Sequence, residues 1–252
     1  DERLDALEGE SRHVAFLVGC RDSRALGDAF VTLRRVAAHG SGLDAVALLA
    51  RMYLALAGRR GLEADVLDDR QGGDPAEDTL TLQVSGAGAY ALLAGEAGLH
   101  QVSRGRKETG GRSRPVDREV IRVEVLAVPV GEPGFEFEEV RVEARPLGGA
   151  RGRLLARLKH DVQLFHVPSL TSVRAWTDGT KAEAVERLRP LLRARVEGGK
   201  AGADASGRPQ VVRRYTLGPT TLVRDLRSGR STGRLDQVLE GHLDMFLTPP
   251  SP

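Results

Sequence analysis

Hydrophobic and polar positions change period several times along the chain, and each change marks an element. Leu4 and Leu7, then Val14, Ala15, Leu17 and Val18, recur at helical spacing near the start. Phe30 to Val36 alternates as a strand, and Asp44 to Gly58 repeats apolar residues as a helix that ends near Gly58 and Gly61. Leu62 to Leu67 and Leu80 to Val84 read as strands, whereas Gly86 to His100 reads as a second helix with Tyr90, Leu92 and Leu93 turned to a core. Val120 to Val128 is a strand by alternation and β-branched content, and Pro129 to Phe137 reads as a linker. Val140, Val142 and Ala144 then alternate, followed by the flexible Gly148-Gly149-Ala150-Arg151-Gly152-Arg153 and the apolar set Leu154, Leu155, Leu158 and Val162. Gly198 to Gly207 reads as a loop, Val211 to Tyr215 and Thr221 to Asp225 as strands. The ending Leu235 to Leu247 is amphipathic, with Leu235, Val238, Leu239, Leu243 and Phe246 on one face. Sheets covered by helices give an α+β fold class.

Composition adds bounds. A chain of 252 residues with 40% apolar content can bury a real core and divides into two or three subdomains. Cys20 is the single cysteine, so neither an internal disulfide nor a cysteine metal site can form, which suits a reducing compartment. No apolar run approaches the roughly 18 residues that span a bilayer, and the acidic first residues are unlike a signal peptide. The expectation is a cytoplasmic protein with no membrane and no DNA partner.

The net charge of +2 hides a patterned distribution. Asp1 to Glu10 holds five acids and one Arg, and Leu62 to Asp78 seven acids and one Arg. Gln101 to Arg122 has seven basic residues against three acids, Val140 to His160 six against one, and Arg208 to Arg234 seven against one. Separated basic stretches are the electrostatic footprint of an RNA partner, with a solvated basic surface as the plain alternative for any one of them. Familiar enzyme signatures are missing: no Gly-x-Ser-x-Gly elbow, no His-Glu-x-x-His, no paired cysteines and no phosphate-binding Gly-x-x-x-x-Gly-Lys loop. His160 and His166, six apart with Asp161 between them, suit a strand pair better than a metal site, and Glu183 with Arg187 suits a surface helix pair. No metal and no cofactor is expected.

Four stretches carry a resemblance. They are Arg51-Met52-Tyr53 with LALAGRRGLEADVLD after it, VSGAGAYALLAGEAGLH (Val84 to His100), VRVEARPLGGARGRLLARLKHDVQLFHVP (Val140 to Pro168), and VVRRYTLGPTTLVRDLRSGRSTGRLDQVLEGHLDMFL (Val211 to Leu247). In this order they resemble bacterial class I peptide chain release factors of the release factor 2 type, and the third runs without a gap to about Val196. The resemblance implies residues 1–27 as the remnant of an N-terminal helical domain and 28–133 as a codon-recognition-like core domain. It implies 134–208 as a smaller inserted module with strands 138–146, 161–167 and 171–176 and a helix 181–196, and 209–252 as a segment that packs back on the core.

The family's Gly-Gly-Gln tripeptide falls on Arg151, Gly152 and Arg153, and its Ser-Pro-Phe has no counterpart in the polar loop Ser103 to Thr109. Asp178-Gly179-Thr180-Lys181 stands where the family has an Arg-Ser-Gln segment. Glycines there permit close backbone approach and glutamine places a water, so Arg151 and Arg153 disable that chemistry. The expectation is a ribosome-binding homologue in termination, rescue or ribosome regulation, with rRNA and peptidyl-tRNA as RNA partners and any protein partner unknown, and without stop-codon reading or ester hydrolysis of its own. Candidate RNA contacts are Arg104, Arg106, Lys107, Arg151, Arg153, Arg157, Arg224 and Arg227. Two alternatives stay open: an active release or rescue factor with an altered tip, and a non-ribosomal RNA-binding or protein-interaction module.

Overall fold

A computed structural model describes residues 25–40, 43–71, 77–107, 113–131, 136–148, 154–155, 157–198 and 210–247, with only the backbone described at 106–107 and 113–116. The chain opens with β1 (Ala29–His39), α1 (Ala45–Arg59), β2 (Glu63–Arg70), β3 (Thr79–Ser85), α2 (Ala89–Ala94), β4 (Gly98–Lys107) and β5 (Ser113–Ala127). After a 3-10 turn at Phe137–Glu139 come β6 (Val140–Pro146), β7 (His160–His166), β8 (Thr171–Thr177) and α3 (Lys181–Gly198). It then returns through β9 (Val211–Leu217), β10 (Leu222–Asp225), β11 (Ser231–Thr232) and α4 (Leu235–Leu239). The helical signal from Leu4 to Val18, the tip Gly149 to Arg153 and most of the loop Gly198 to Gly207 lie outside the described residues.

Eight strands form one sheet in the order β11-β10-β9-β4-β5-β1-β3-β2, and β6-β7-β8 form a second. The pleat decides what each face of the large sheet meets. Ala29, Val31 and Leu33 of β1 point to the face covered by α1, α2 and α4, where they join Leu49, Tyr53, Leu56, Tyr215 and Phe246 in the first core. Phe30 and Leu126, directly opposite on β1 and β5, point the other way and join Val162, Leu164, Leu188 and Leu192 in a second core. The smaller sheet and α3 are therefore seated on the back of the large one.

Two corrections concern elements that were expected to be helical. Only Ala89–Ala94 of the stretch Gly86 to His100 is helical, and β4 begins at Gly98. A Cβ at Gly98 (φ +140°) would stand 2.3 Å from Val212 Cγ2, so the close approach of β9 requires glycine and ends the helix early. In the amphipathic ending only Leu235–Leu239 is helical. Gly241 (φ +89°) turns the chain against α1, where a Cβ would lie 2.5 Å from the Leu56 nitrogen, and Leu243 and Phe246 reach the same core from turns. The side chains keep the pattern of a helix face although the backbone there is not helical.

A third correction concerns Ser103 to Thr109, expected as a loop. Ser103 to Lys107 continue β4, paired with β5 and flanked in part by β9, and Arg104 stands directly opposite Asp117. The backbone ladder thus runs on past the end of the apolar alternation, with Arg104 and Asp117 as an opposite-charge pair and Arg106 opposite Arg114.

One buried ion pair ties the returning segment to the rest. Arg213 of β9 is fully buried and donates through Nη1 and Nη2 to the two Glu96 oxygens, at 2.7 and 2.8 Å, and through Nη2 to Asp225 at 3.2 Å. Tyr53 donates to the same carboxylate at 3.1 Å, and the guanidinium lies over the Phe246 ring at 4.6 Å. Burial alone would raise Glu96, but the charge of Arg213 and then that of His100 outweigh it and hold the carboxyl below its usual range. His100 is set between the Glu96 carbonyl (2.9 Å) and the Tyr215 hydroxyl (3.3 Å).

The second lobe grips edge strand β2. Asp68, fully buried, accepts the Trp176 amide at 2.8 Å and Arg70 Nε at 2.9 Å. Asp69, also buried, accepts the amides of Leu154 and Leu155, each at 2.8 Å, and Gln71 Nε2 at 2.9 Å. A register shift between Val66 and Asp68 accompanies this grip. Arg187 of α3, expected to pair with Glu183, instead donates to the Val66 carbonyl at 3.1 Å. Glu183 closes a capping box, its carboxylate accepting the Thr180 amide at 2.7 Å while Thr180 Oγ1 accepts the Glu183 amide at 3.2 Å.

Breaking the ion pair from one side leaves two buried carboxylates uncompensated, so Arg213→Met is expected to cost about 3–5 kcal/mol. The exposed neighbour Arg214→Met should stay within about 0.5 kcal/mol. Gly241→Ala, which meets both an unfavourable φ and backbone atoms, is expected to cost on the order of 2–4 kcal/mol. Urea unfolding midpoints of the full chain give all three.

Asp68 gives a pH signature. Burial pushes it up to about 6, against the pull of Arg70 and the Trp176 amide. A carboxyl raised in this way contributes stability that is fully present below its ordinary range and is lost as pH rises through about 6. His100 acts in the opposite sense, since burial lowers it to about 4 and its contribution is lost as pH falls from the ordinary imidazole range toward that value. Comparison with Asp68→Asn separates the two. Between about pH 7.5 and about pH 4.5 the stability gap is expected to move in favour of the wild type by about 1–3 kcal/mol. A gap that does not move with pH would show that Asp68 ionises like a surface carboxylate.

Candidate functional site

The tip between β6 and β7 is held at both shoulders. Pro146 stands opposite His160 in the ladder, and the Leu147 amide donates to the Lys159 carbonyl at 2.8 Å. On the other side Asp69 takes the amides of Leu154 and Leu155, and the Leu154 side chain packs against the first core. Leu158 is fully buried, whereas Arg157 is exposed. Arg151, Gly152 and Arg153 lie between these anchors and outside the described residues.

The other expected basic contacts fall on the large sheet. Arg104 is exposed near the end of β4, level with Leu217 of β9, and Arg106 and Lys107 extend the same strand. Arg224 of β10 is exposed and stands directly opposite Arg214 of β9, which in turn lies beside Gln101 of β4. Arg227 belongs to the turn after β10. There Asp225 accepts the amides of Arg227 and Ser228, at 3.1 and 2.7 Å, and the Ser228 hydroxyl at 2.9 Å. The Arg227 guanidinium stands beside Gly95 at the end of α2. Asp225 also meets Arg213, so the ion pair inside the core fixes the turn that presents Arg227 at the surface. The structure thus brings Arg104, Arg214 and Arg224 onto neighbouring strands and leaves Arg157 with the second lobe.

The two histidines flagged in the sequence are at opposite ends of β7. His166 Nδ1 meets the Ser169 hydroxyl at 2.7 Å, while Asp161 is held by Arg174 Nε and Nη2 at 2.8 and 2.7 Å. Among the described residues no group of three or more His, Cys, Asp or Glu side chains could hold a metal ion, and no helix is long and apolar enough to cross a membrane. The residues that sequence reasoning missed are Asp68 and Asp69. Two adjacent acids at the end of a strand were the available signal, and they were counted there only as part of an acidic stretch.

Comparison with known proteins bears on this arrangement. The PCRF domain model matches residues 9–114. Peptide chain release factor 2 of Nautilia profundicola is 27% identical over 238 residues, which is 88% of this chain and 64% of that protein. Peptide chain release factor 2 of Chloroflexus aggregans is 27% identical over 269 residues, 98% of this chain and 73% of that protein. Relatives from Thermomicrobium roseum and Phenylobacterium zucineum carry the same name and are matched over 59% and 63% of their own lengths, so the chain spans somewhat less than two thirds of several of the proteins it resembles. RF2 of Thermus thermophilus shares the fold, with a TM-score of 0.73 at 24% identity, over 94% of this chain and 70% of that one. A PCRF match over residues 9–114, relatives that agree on one name and a release-factor fold over nearly its whole length make this chain similar to the class I peptide chain release factors.

Proposed function

We propose that this protein binds the ribosome in the manner of a release factor and acts on termination, rescue or regulation without reading stop codons or hydrolysing peptidyl-tRNA itself. The observation that carries the reading is the tip triplet Arg151-Gly152-Arg153, which stands where the family's Gly-Gly-Gln falls in an ungapped register. A side chain on Arg151 removes the freedom that close backbone approach needs, and the Arg153 cation replaces a neutral amide that would place water. Ser103 to Lys107, where a codon-reading loop would begin, are drawn into a charged ladder. Guanidinium and ammonium groups there suit phosphates, which position a protein and carry little sequence information.

In this reading the core 28–133, closed by 209–252, docks through Arg104, Arg106, Lys107, Arg224 and Arg227. The module 134–208 presents Arg151, Arg153 and Arg157 to rRNA or peptidyl-tRNA.

Ribosomes that carry a peptidyl-tRNA and any of the stop codons are expected to release no peptide above background on addition of the purified chain. Release at the rate of an ordinary release factor would overturn the catalytic half of the proposal. Arg153→Gln alone should not restore it, because Arg151 and the altered codon loop remain.

Binding is tested separately. Ribosome affinity should fall linearly with the logarithm of salt concentration, each phosphate contact adding about 0.7–0.9 to the slope. Arg151→Ala with Arg153→Ala is then expected to reduce the slope by about 2 and leave the melting temperature unchanged. An unaltered affinity and slope in a folded double variant would remove the tip from the binding surface. Absence of co-sedimentation even at low salt would overturn the ribosomal reading altogether.

A further inference from the structure

The seam between the two lobes contains an arginine-lined cleft, one of whose side chains, Arg70, is bonded to Asp68. Register places its floor: Arg122 of β5 lies opposite Arg34 of β1, Arg34 opposite Thr79 of β3, and Thr79 opposite Arg70 of β2. Two residues further along, Glu124 lies opposite Thr32. These residues share the face of the large sheet on which the second lobe sits, and Arg195 of α3 adds a wall by donating to Glu124 at 3.1 Å and to the Ser172 carbonyl at 3.2 Å. The cavity is about 380 Å³ and is lined by the four arginines, Glu124 and the two threonines.

Charge in the cleft is not balanced. Arg195 takes Glu124, and Arg70 takes Asp68 at 2.9 Å. Arg34 and Arg122 are then left facing each other across adjacent strands, with no acidic partner among the described residues. Like charges directly opposed destabilise a sheet, and a concave site between two protein walls concentrates their field. Arg195 Nε is moreover buried without a hydrogen-bond partner among the described residues, which is a donor awaiting an acceptor.

We propose that this cleft is a binding site for a small, multiply charged phosphate anion of the pyrophosphate type. Guanidinium forks match phosphate oxygens with paired charge-assisted hydrogen bonds. The lining holds no aromatic or aliphatic side chain. Its volume lies in the range of roughly 300–1,000 Å³ typical of small-ligand sites. Because Arg195 comes from the second lobe and Arg34, Arg70 and Arg122 from the first, the bound anion bridges the two lobes. The site is independent of the ribosomal reading.

The test is calorimetric titration of the full chain with sodium pyrophosphate at low salt, repeated with a short oligouridine to distinguish a free anion from an RNA phosphate. A single pyrophosphate is expected to bind per chain. Arg34→Gln with Arg122→Gln should weaken it by about tenfold or more. Arg51→Gln with Arg59→Gln removes two exposed arginines of α1, outside the cleft, and should change affinity by no more than about twofold. Without ligand the cleft double variant should melt no lower than wild type, since a repulsion is relieved, and pyrophosphate should raise the melting temperature of wild type only. If that double variant fails to fold, Arg34→Gln alone is expected to show a severalfold loss. The proposal is overturned by non-saturating binding to wild type, by equal losses in the cleft and control variants, or by oligouridine binding that depends on Arg34 and Arg122 while pyrophosphate does not compete.

Discussion

The pair of Arg213 and Glu96 holds together parts of the chain that nothing local would join. β9 lies parallel to β4, and between them the sequence makes the whole excursion through the second lobe. A parallel neighbour needs a crossover, and its hydrogen bonds form only after a long loop has closed. Arg213 supplies contacts inside the core that exist only when the return is in register: two to Glu96 beside β4 and one to Asp225 on β10. A buried pair is weak support for stability in itself, because desolvation offsets most of the attraction. Its effect is selective, since any other register of β9 would leave a charge buried with no partner.

That selectivity reaches the surface through Asp225. One oxygen of its carboxylate meets Arg213, and the other organises the turn that displays Arg227. The position of a basic side chain outside is thus set by a charge inside. At the opposite edge of the sheet Asp68 and Asp69 serve a comparable purpose, but they bind backbone amides of the second lobe. Buried carboxylates fix the placement of both later segments, one by ion pairing and one by accepting amides.

Much of this was legible in the sequence where a single periodicity ruled. β1, α1, β3 and the strands of the smaller sheet lie within a few residues of the stretches that alternation, helical spacing or the family pattern marked. Reading failed where a distant segment decided the backbone. Gly86 to His100 has a helical pattern, yet Gly98 must admit β9, and Leu243 and Phe246 keep their helical-face positions although Gly241 breaks the helix against α1. Ser103 to Lys107 looked like a loop because charged residues alternate there in place of apolar ones. The spacing of Thr180 and Glu183 is that of a capping box, which claims the carboxylate that helical spacing alone would give to Arg187. The basic side chains at the surface were visible as residues, whereas their grouping on neighbouring strands was not, because it depends on register between β4, β9 and β10.

The back of the large sheet shows how one surface can serve two incompatible demands. Near Phe30 and Leu126 it is apolar and carries the second core, so the smaller lobe must sit there. A few residues along the same strands it becomes Thr32, Arg34, Arg122 and Glu124, which cannot be covered by an apolar lid without stranding charge. The second lobe therefore closes over one end of the face and reaches the other through polar contacts, among them Arg195 with Glu124. The result is an apolar seat beside a basic cleft. Arg195 and Glu124 join the lobes at this cleft, so any ligand that gathers these arginines acts on the relation between the lobes.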